Sequence, residues 1–362
     1  MTKFLHRRDV LKLMLGAVGA LALPAWARRA PLLQPQFPDA PLLGRNASQG
    51  RIEIKARPHA DSPTIGYLFE DAVVPWLREV VGVHPYRINQ RFVDTGQGYI
   101  WAPYLQPVRN LPNQPLEQLP QYGEKPGMWA EVTVPYVDLI PANPPLRSPW
   151  WKEVKHPRLY YGQVVWIDAL KTDDQGRVWY HVTERHGTYG DTFWALAQAF
   201  RPVTPEEITP LSPDVEDKRI VVDVTYQTMS CYEGNTEVYF CRVSTGAKFD
   251  AEGNPVDKWA TPLGTNPIWR KLVSLHMTGG TTGGGWDVPA VTWVSLFVGS
   301  GVAIHGTYWH NDFGVPRSHG CVNVTHEDAK WVFRWTHPPV PYDPGDITVP
   351  MPGGTLVQVI ER

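Results

Sequence analysis

The chain has 362 residues, 43% apolar and 19% charged, with a formal net charge of −2. That length exceeds one ordinary core and predicts two or three folded units, while a mildly acidic chain without a basic run excludes nucleic acid as a partner on electrostatic grounds. Thirty-six prolines and 31 glycines favour strands, turns and extended linkers over a helical bundle, so the expected fold class is mainly β.

Residues 1–27 are expected to be an export signal. They run from a basic segment with paired Arg7 and Arg8, through the apolar "LMLGAVGALALP", to the small-x-small site Ala25-Trp26-Ala27. The twin arginine followed by Asp9-Val10-Leu11-Lys12 resembles a twin-arginine export signal. Its removal takes away a net +3 and leaves a formal −5. No other segment approaches the ~18 apolar residues of a membrane span, so the mature chain is expected in the cell envelope, in the periplasm or wall.

Residues 28–45 are proline-punctuated and aperiodic, a tether. Between 46 and 110, "RIEIKARP", "TIGYLF", "AVVPWL", "RFVDTG" and "GYIWAPYLQPV" are short strand-like runs parted by turn residues. Their pattern resembles the bacterial Src-homology-3-like barrels of wall-associated proteins. A second linker, 111–126, precedes another β unit at 127–205. There Trp194-Ala195 leading to Pro202-Val203 echoes Trp101-Ala102 leading to Pro107-Val108, which suggests a degenerate repeat and a second small barrel. Proline-rich tethers around each unit suggest that both barrels fold on their own. Many of the 16 tryptophans fall here, as core or as groove walls.

The third unit, 218–361, is a series of strand-like runs with one well-signalled helix, "HEDAKWVFRW", capped by Thr325 with Asp328 completing a capping box. Cys231 and Cys241 flank the turn "YEGNTE" and could be bridged. A tight Gly234-Asn235 hairpin, however, would set them on opposite faces of the ribbon and strain a disulfide. Cys321 is unpaired in either case, and an odd thiol in an exported protein calls for a reason.

That thiol lies in "AIHGTYWHNDFGVPRSHGCVNVTHEDAKW", residues 303–331, with His305, His310, His319 and His326. A free cysteine, with a pKa of about 8.5, needs a nearby base or cation to become a nucleophile. His319 stands two residues before it, and His305 ends the preceding strand. Gly320 allows close backbone approach, and successive amides of a turn before a helix can point at one oxyanion. These are the parts of an acyl-transfer site. A zinc site of His305, His310, His319 and Cys321 is the competing reading, although paired C-x-x-C or H-E-x-x-H spacing is missing. His310 and His326 read as loop and helix-start residues.

"IHGT", a loop and then "SHGCVN", with "VSTG" and "ATPLGTNPIW" upstream, resemble the signature of the L,D-transpeptidase (YkuD-like) catalytic domain over residues 218–361. The resemblance implies Cys321 as nucleophile, His305 as general base and the Gly306 carbonyl as the group that orients it. It also implies oxyanion amides from His319, Gly320 and Cys321, with Ser318 and Asn323 holding the turn. Two features depart from the family pattern: Asn323 stands where many members carry Arg, and only 12 residues separate His305 from Ser318. The implied function is peptidoglycan L,D-transpeptidation, forming 3→3 cross-links between stem peptides through a cysteinyl thioester without metal or organic cofactor. The alternatives are an L,D-carboxypeptidase or wall hydrolase using the same cysteine, and a non-catalytic wall-binding protein.

Overall fold

The computed structural model describes residues 36–362 except 49, 250–252 and 280–285; the expected export signal and residues 28–35 of the first tether lie outside the described residues. Phe37–Arg362 form one compact unit, built largely of strands.

In the first β region alternation places one face inward. Ile52, Leu68, Val93, Ile100 and Leu105 meet around Trp76 in a core of their own. A three-stranded sheet (Val73–Pro75, Leu43–Asn46, Leu105–Val108) lies with a five-stranded one (Thr64–Leu68, Ile52–Lys55, Tyr99–Trp101, Arg91–Asp94, Arg78–Val81). The first strand starts at Leu43, inside the segment read as tether.

The second region carries a six-stranded sheet in the order Ile140–Pro141, Thr192–Leu196, Val178–Thr183, Val164–Thr172, Met128–Val132, Phe200–Val203. Both regions close with a strand, a 3-10 turn and a strand: Tyr99–Trp101, Ala102–Tyr104 and Leu105–Val108 in the first, Thr192–Leu196, Ala197–Ala199 and Phe200–Val203 in the second. The structural echo therefore pairs Trp101 with Leu196. The sequence comparison paired it with Trp194, which lies two residues earlier on the same face.

Met128–Val132 and the first half of Val164–Thr172 are buried on both sides, which is why they read as nearly continuous apolar runs. Met128, Ala130 and Val132, with Val165 and Ile167, feed one core. Trp129, Val164 and Trp166 point the other way, into the core formed by Ile220, Val222, Phe333 and Trp335 of the third region. Trp129 N–H and Nε1 donate to Tyr342 Oη and O at 3.0 and 2.8 Å, and its ring lies where a Cβ on Gly345 would come within 2.4 Å. The second region thus keeps a core of its own and shares a further one with the third, a packing that the expectation of a self-standing barrel did not include. Trp129→Ala should destabilise the protein by ~3–5 kcal/mol, the usual cost of removing a buried aromatic, and chemical denaturation should show the second and third regions unfolding in one transition. Two separate transitions would count against the shared core.

The third region holds two five-stranded sheets. One runs Thr236–Arg242, Thr228–Glu233, Lys218–Asp223, Leu356–Ile360, Gly264–Pro267; the other runs Val322–Val324, Ala303–Gly306, Trp286–Leu296, Arg270–Gly279, Asp346–Thr348. Ala303–Gly306 and Val322–Val324 are parallel, so a crossover, residues 307–321, must join them. The helix His326–Trp335 follows at once. Asp328 N–H donates to Thr325 Oγ1 at 3.1 Å, while the Asp328 carboxylate accepts from that hydroxyl and not from the Thr325 amide. At the helix C-terminus the buried Lys271 Nζ donates to Thr336 O and Pro338 O, and Lys218 Nζ to Trp335 O, satisfying carbonyls that the last turn leaves open.

The hairpin Thr228–Glu233/Thr236–Arg242 turns tightly at Gly234-Asn235, but a bulge between Cys231 and Tyr232 shifts its register. Cys241 pairs with Met229 and Cys231 with Tyr239, so both thiols face the core. The expected opposite-face arrangement is thereby corrected. Both cysteines are free, and burial drives their pKa values far above the ordinary thiol range.

Candidate active site

The parallel register sets His305 opposite Asn323 and Ile304 opposite Val322. Cys321 precedes Val322 and lies two residues before Asn323, so period-2 geometry turns it to the face that carries His305. The His305 imidazole is buried, and Nδ1 meets Gly306 O at 3.0 Å. A carbonyl can only accept, so Nδ1 carries the proton and Nε2 keeps its lone pair.

Burial lowers the His305 pKa to about 4 against the opposing Gly306 carbonyl. The Cys321 side chain is partly exposed but packs with Trp309 against Leu272, Val291, Val294, Leu296 and Ala303. Its pKa is pushed up to about 11 by desolvation, partly opposed by the Ala303 N–H. The resting pair is therefore a neutral thiol and a neutral imidazole. A preformed thiolate, which the sequence suggested an activated cysteine would need, is disfavoured, and the proton must leave sulfur as the nucleophile attacks.

Gly320 has φ +122°, a conformation that favours glycine. Its N–H donates to Ser318 Oγ at 3.0 Å, and that hydroxyl donates to Cys321 O at 2.6 Å. The Gly320 amide is thus turned into the loop and is not aimed at an oxyanion, which leaves His319 and Cys321 of the three amides named from sequence. Thr261 Oγ1 donates to Gly320 O at 2.8 Å, and Ser318 N–H to Thr245 O at 3.0 Å, so the "VSTG" and "ATPLG" segments cradle the turn. Gly246 is there because a Cβ would strike Trp259 O at 1.8 Å.

The exposed His319 ring sits edge-on to Trp259 at 4.6 Å. Partial burial and then Lys258 lower its pKa. Asn323 is buried, its carboxamide 3.1 Å from His310 Nε2. His310 Nδ1 accepts from Asp312 N–H at 3.2 Å, so a neutral ring carries its proton on Nε2. The Asn323 atom 3.1 Å from Nε2 is Nδ2, also a donor, and Oδ1 has no hydrogen-bond partner, so turning the carboxamide over would pair Oδ1 with the Nε2 proton. Burial, then Arg317 and His305, hold the His310 pKa down to about 3. His326 is likewise kept neutral by burial, with Nδ1 2.8 Å from Thr292 Oγ1. Glycine is required at 306 and 162 because Cβ atoms there would meet the His326 ring at 2.8 and 2.5 Å. His310 and His326 are thus built into the walls behind His305. Among the described residues no group of three His, Cys, Asp or Glu side chains is disposed to hold a metal.

Residues 217–359 match the YkuD family, the L,D-transpeptidase catalytic domain. Part of the chain is similar to solved structures. A variant of the Enterococcus faecium L,D-transpeptidase shares 24% identity over 40% of this chain and 50% of that chain, with a TM-score of 0.30. The match therefore spans half the length of that protein. The E. faecium catalytic domain solved by NMR shares 24% over 40% of this chain and 98% of that one, with a TM-score of 0.30. An L,D-transpeptidase from Mycobacterium smegmatis shares 16% over 51% and 90%, with a TM-score of 0.31. No curated protein matches the chain.

Trp309 was not singled out from sequence; its ring lies 5.8 Å from that of His305. Nothing in its local pattern separates it from the other tryptophans. Leu275, Met277 and Val288, from the hairpin Arg270–Gly279/Trp286–Leu296, pack on the same cluster as Cys321. That hairpin is pinned by His276, whose Nδ1 meets Glu184 Oε2 at 2.7 Å and whose Nε2 meets Asp287 Oδ1. Two carboxylates facing both ring nitrogens require an imidazolium. Burial opposes it, but Glu184 and then Asp287 prevail and raise the pKa to about 9. A raised folded pKa contributes stability that is complete below ~6.5 and is lost as pH climbs through about 9, on the order of 3 kcal/mol. The thermal midpoint should fall between pH 7 and 10 in the parent and vary much less in His276→Gln. Equal slopes in the two proteins would remove His276 as the cause.

Proposed function

We propose that this protein is an exported peptidoglycan L,D-transpeptidase that forms 3→3 cross-links. The observation that carries the reading is the His305 imidazole, its tautomer held by Gly306 O and its Nε2 free, on the strand paired beside Cys321. Cys321 Sγ attacks the carbonyl carbon joining the third stem residue to its terminal D-alanine, and the thiol proton passes to His305 Nε2. The oxyanion is met by the main-chain N–H groups of His319 and Cys321. Cleavage of the C–N bond returns the proton to the departing amine and leaves a thioester. The side-chain amine of a neighbouring stem then displaces the thiol, giving its proton through His305.

The apolar lining by Trp309, Leu275, Met277 and Val288 supports transfer to an amine over transfer to water. Residues 1–27 support export to the envelope. A groove of about 490 Å³ in the first β region, lined in part by Arg51, His84, Trp101 and Tyr104, supports a wall-holding role for the N-terminal regions.

Purified enzyme incubated with tetrapeptide stems should yield cross-linked dimer and free D-alanine by mass spectrometry. Trimmed monomer alone would assign a carboxypeptidase, and unchanged stems a non-catalytic protein. A carbapenem should add its mass to Cys321, since the same attack opens a strained lactam, and chelators should leave the rate unchanged.

A further inference from the structure

The crossover 307–321 connects the two strands that carry the site, yet the catalytic sheet holds little of its first half. Thr307 N–H donates to Val324 O. Beyond that point His310 meets Asn323 of that sheet, while the hydrogen-bond partners of Tyr308, Asn311 and Asp312 outside the crossover come from the N-terminal regions. Arg45 Nη2 donates to Tyr308 O at 2.8 Å, and the Tyr308 ring stacks on Tyr160 at 5.2 Å. Asn311 N–H donates to Pro103 O at 3.1 Å, Arg91 Nη2 to Asn311 O at 2.9 Å, and Asn89 Nδ2 to Asp312 Oδ1 at 3.2 Å.

Arg45 is the centre of this arrangement. It is 3% exposed, its Nε donates to Gln106 at 2.9 Å, its Nη1 to Asp71 at 2.6 Å, and its plane lies 3.9 Å from the Tyr160 ring. Asp71 also accepts from Arg158 Nη1 at 2.9 Å and Tyr160 Oη at 3.2 Å, and Arg158 Nε donates to Asp138 at 2.7 Å. Two guanidinium groups and two carboxylates form a closed, neutral network. Burying such charges costs more than apolar packing of the same volume would, but a fork with fixed donor directions sets the position of a main-chain carbonyl as an apolar contact cannot. What it positions is specific. Tyr308 precedes Trp309, whose ring faces His305, and His310, which meets Asn323 across from His305.

We infer that the first β region is a positioning element of the active site, with Arg45 as anchor and Asn89 and Arg91 as outer clamps, holding Tyr308–Asp312 so that Trp309 and His310 enclose His305. Arg45, Asn89 and Arg91 are positioning residues that act through the crossover. The inference rests on Cys321 and His305 being the reacting pair.

The test uses the intact protein and two variants. Arg45→Lys keeps the charge but cannot reach Gln106, Asp71 and Tyr308 O together. The double variant Asn89→Ala/Arg91→Met removes the outer clamps and leaves the buried Asp312 carboxylate its ion pair with Arg317, so it remains informative if Arg45→Lys folds poorly. Arg78→Met, which breaks an exposed pair with Asp94 on the same sheet, is the control. In the double variant kcat should fall about 10–100-fold, the scale of a misplaced catalytic group, with KM changed far less and the thermal midpoint near that of the control. The His305 titration, followed by NMR, should move up from about 4 as water reaches the ring. An unchanged His305 titration in the double variant would overturn the inference, whether or not stability had dropped. The titration needs no turnover, so it still tests the clamp if the parent fails to cross-link stems and the transpeptidase reading falls.

Discussion

Cys321→Ala is expected to reduce both acylation and cross-linking to background, a loss of at least ~10³-fold, with the fold retained because the side chain is small and only partly buried. Cys231→Ala and Cys241→Ala should keep most of the activity and lose some stability, since both side chains lie in the core and their thiols are held protonated by burial. A small alkylating agent should therefore label the native protein at Cys321 alone, as peptide mapping can read. Full activity in Cys321→Ala would end the transpeptidase reading.

His305→Ala should lower acylation by ~10²–10⁴-fold, the usual contribution of a general base. The pH dependence follows from the resting site. In the parent, activity requires the unprotonated imidazole, so the acid limb should lie near the His305 value of about 4, well below that of an ordinary histidine. Without the imidazole, the remaining reaction depends on spontaneous ionisation of the thiol and should climb steadily toward its value of about 11. His319→Ala should also damage turnover, but through oxyanion or substrate geometry, leaving the alkylation profile of Cys321 nearly that of the parent. The two profiles, measured with one small alkylating agent, decide the matter. A shift in His319→Ala with none in His305→Ala would exchange the roles of the two histidines.

Much of this protein follows from local pattern. The mainly β class was legible in proline, glycine and short apolar runs because turn chemistry and period-2 alternation act within a few residues. The helix His326–Trp335 appears where Thr325, Asp328 and the apolar spacing placed it. The "HG" and "SHGCVN" segments marked the thiol and histidines as candidates because a nucleophile and a base are recognisable from residue type alone.

Other features depend on distant chain and had no local mark. The bulge at Cys231 reversed the relative facing of two cysteines, since one inserted residue exchanges the faces of a strand. The turn at Gly320 gave one predicted oxyanion amide to Ser318, a choice set by φ angles that residue type permits but does not dictate. The neutral state of Cys321 and His305 comes from the low-dielectric surroundings that other strands supply, which no spacing of residues encodes. The N-terminal regions, read as tethered units, supply Trp129 to the catalytic core and Arg45 to the active-site crossover. Arg45 lies 263 residues from Tyr308, and only the folded chain brings its guanidinium within 2.8 Å of that carbonyl.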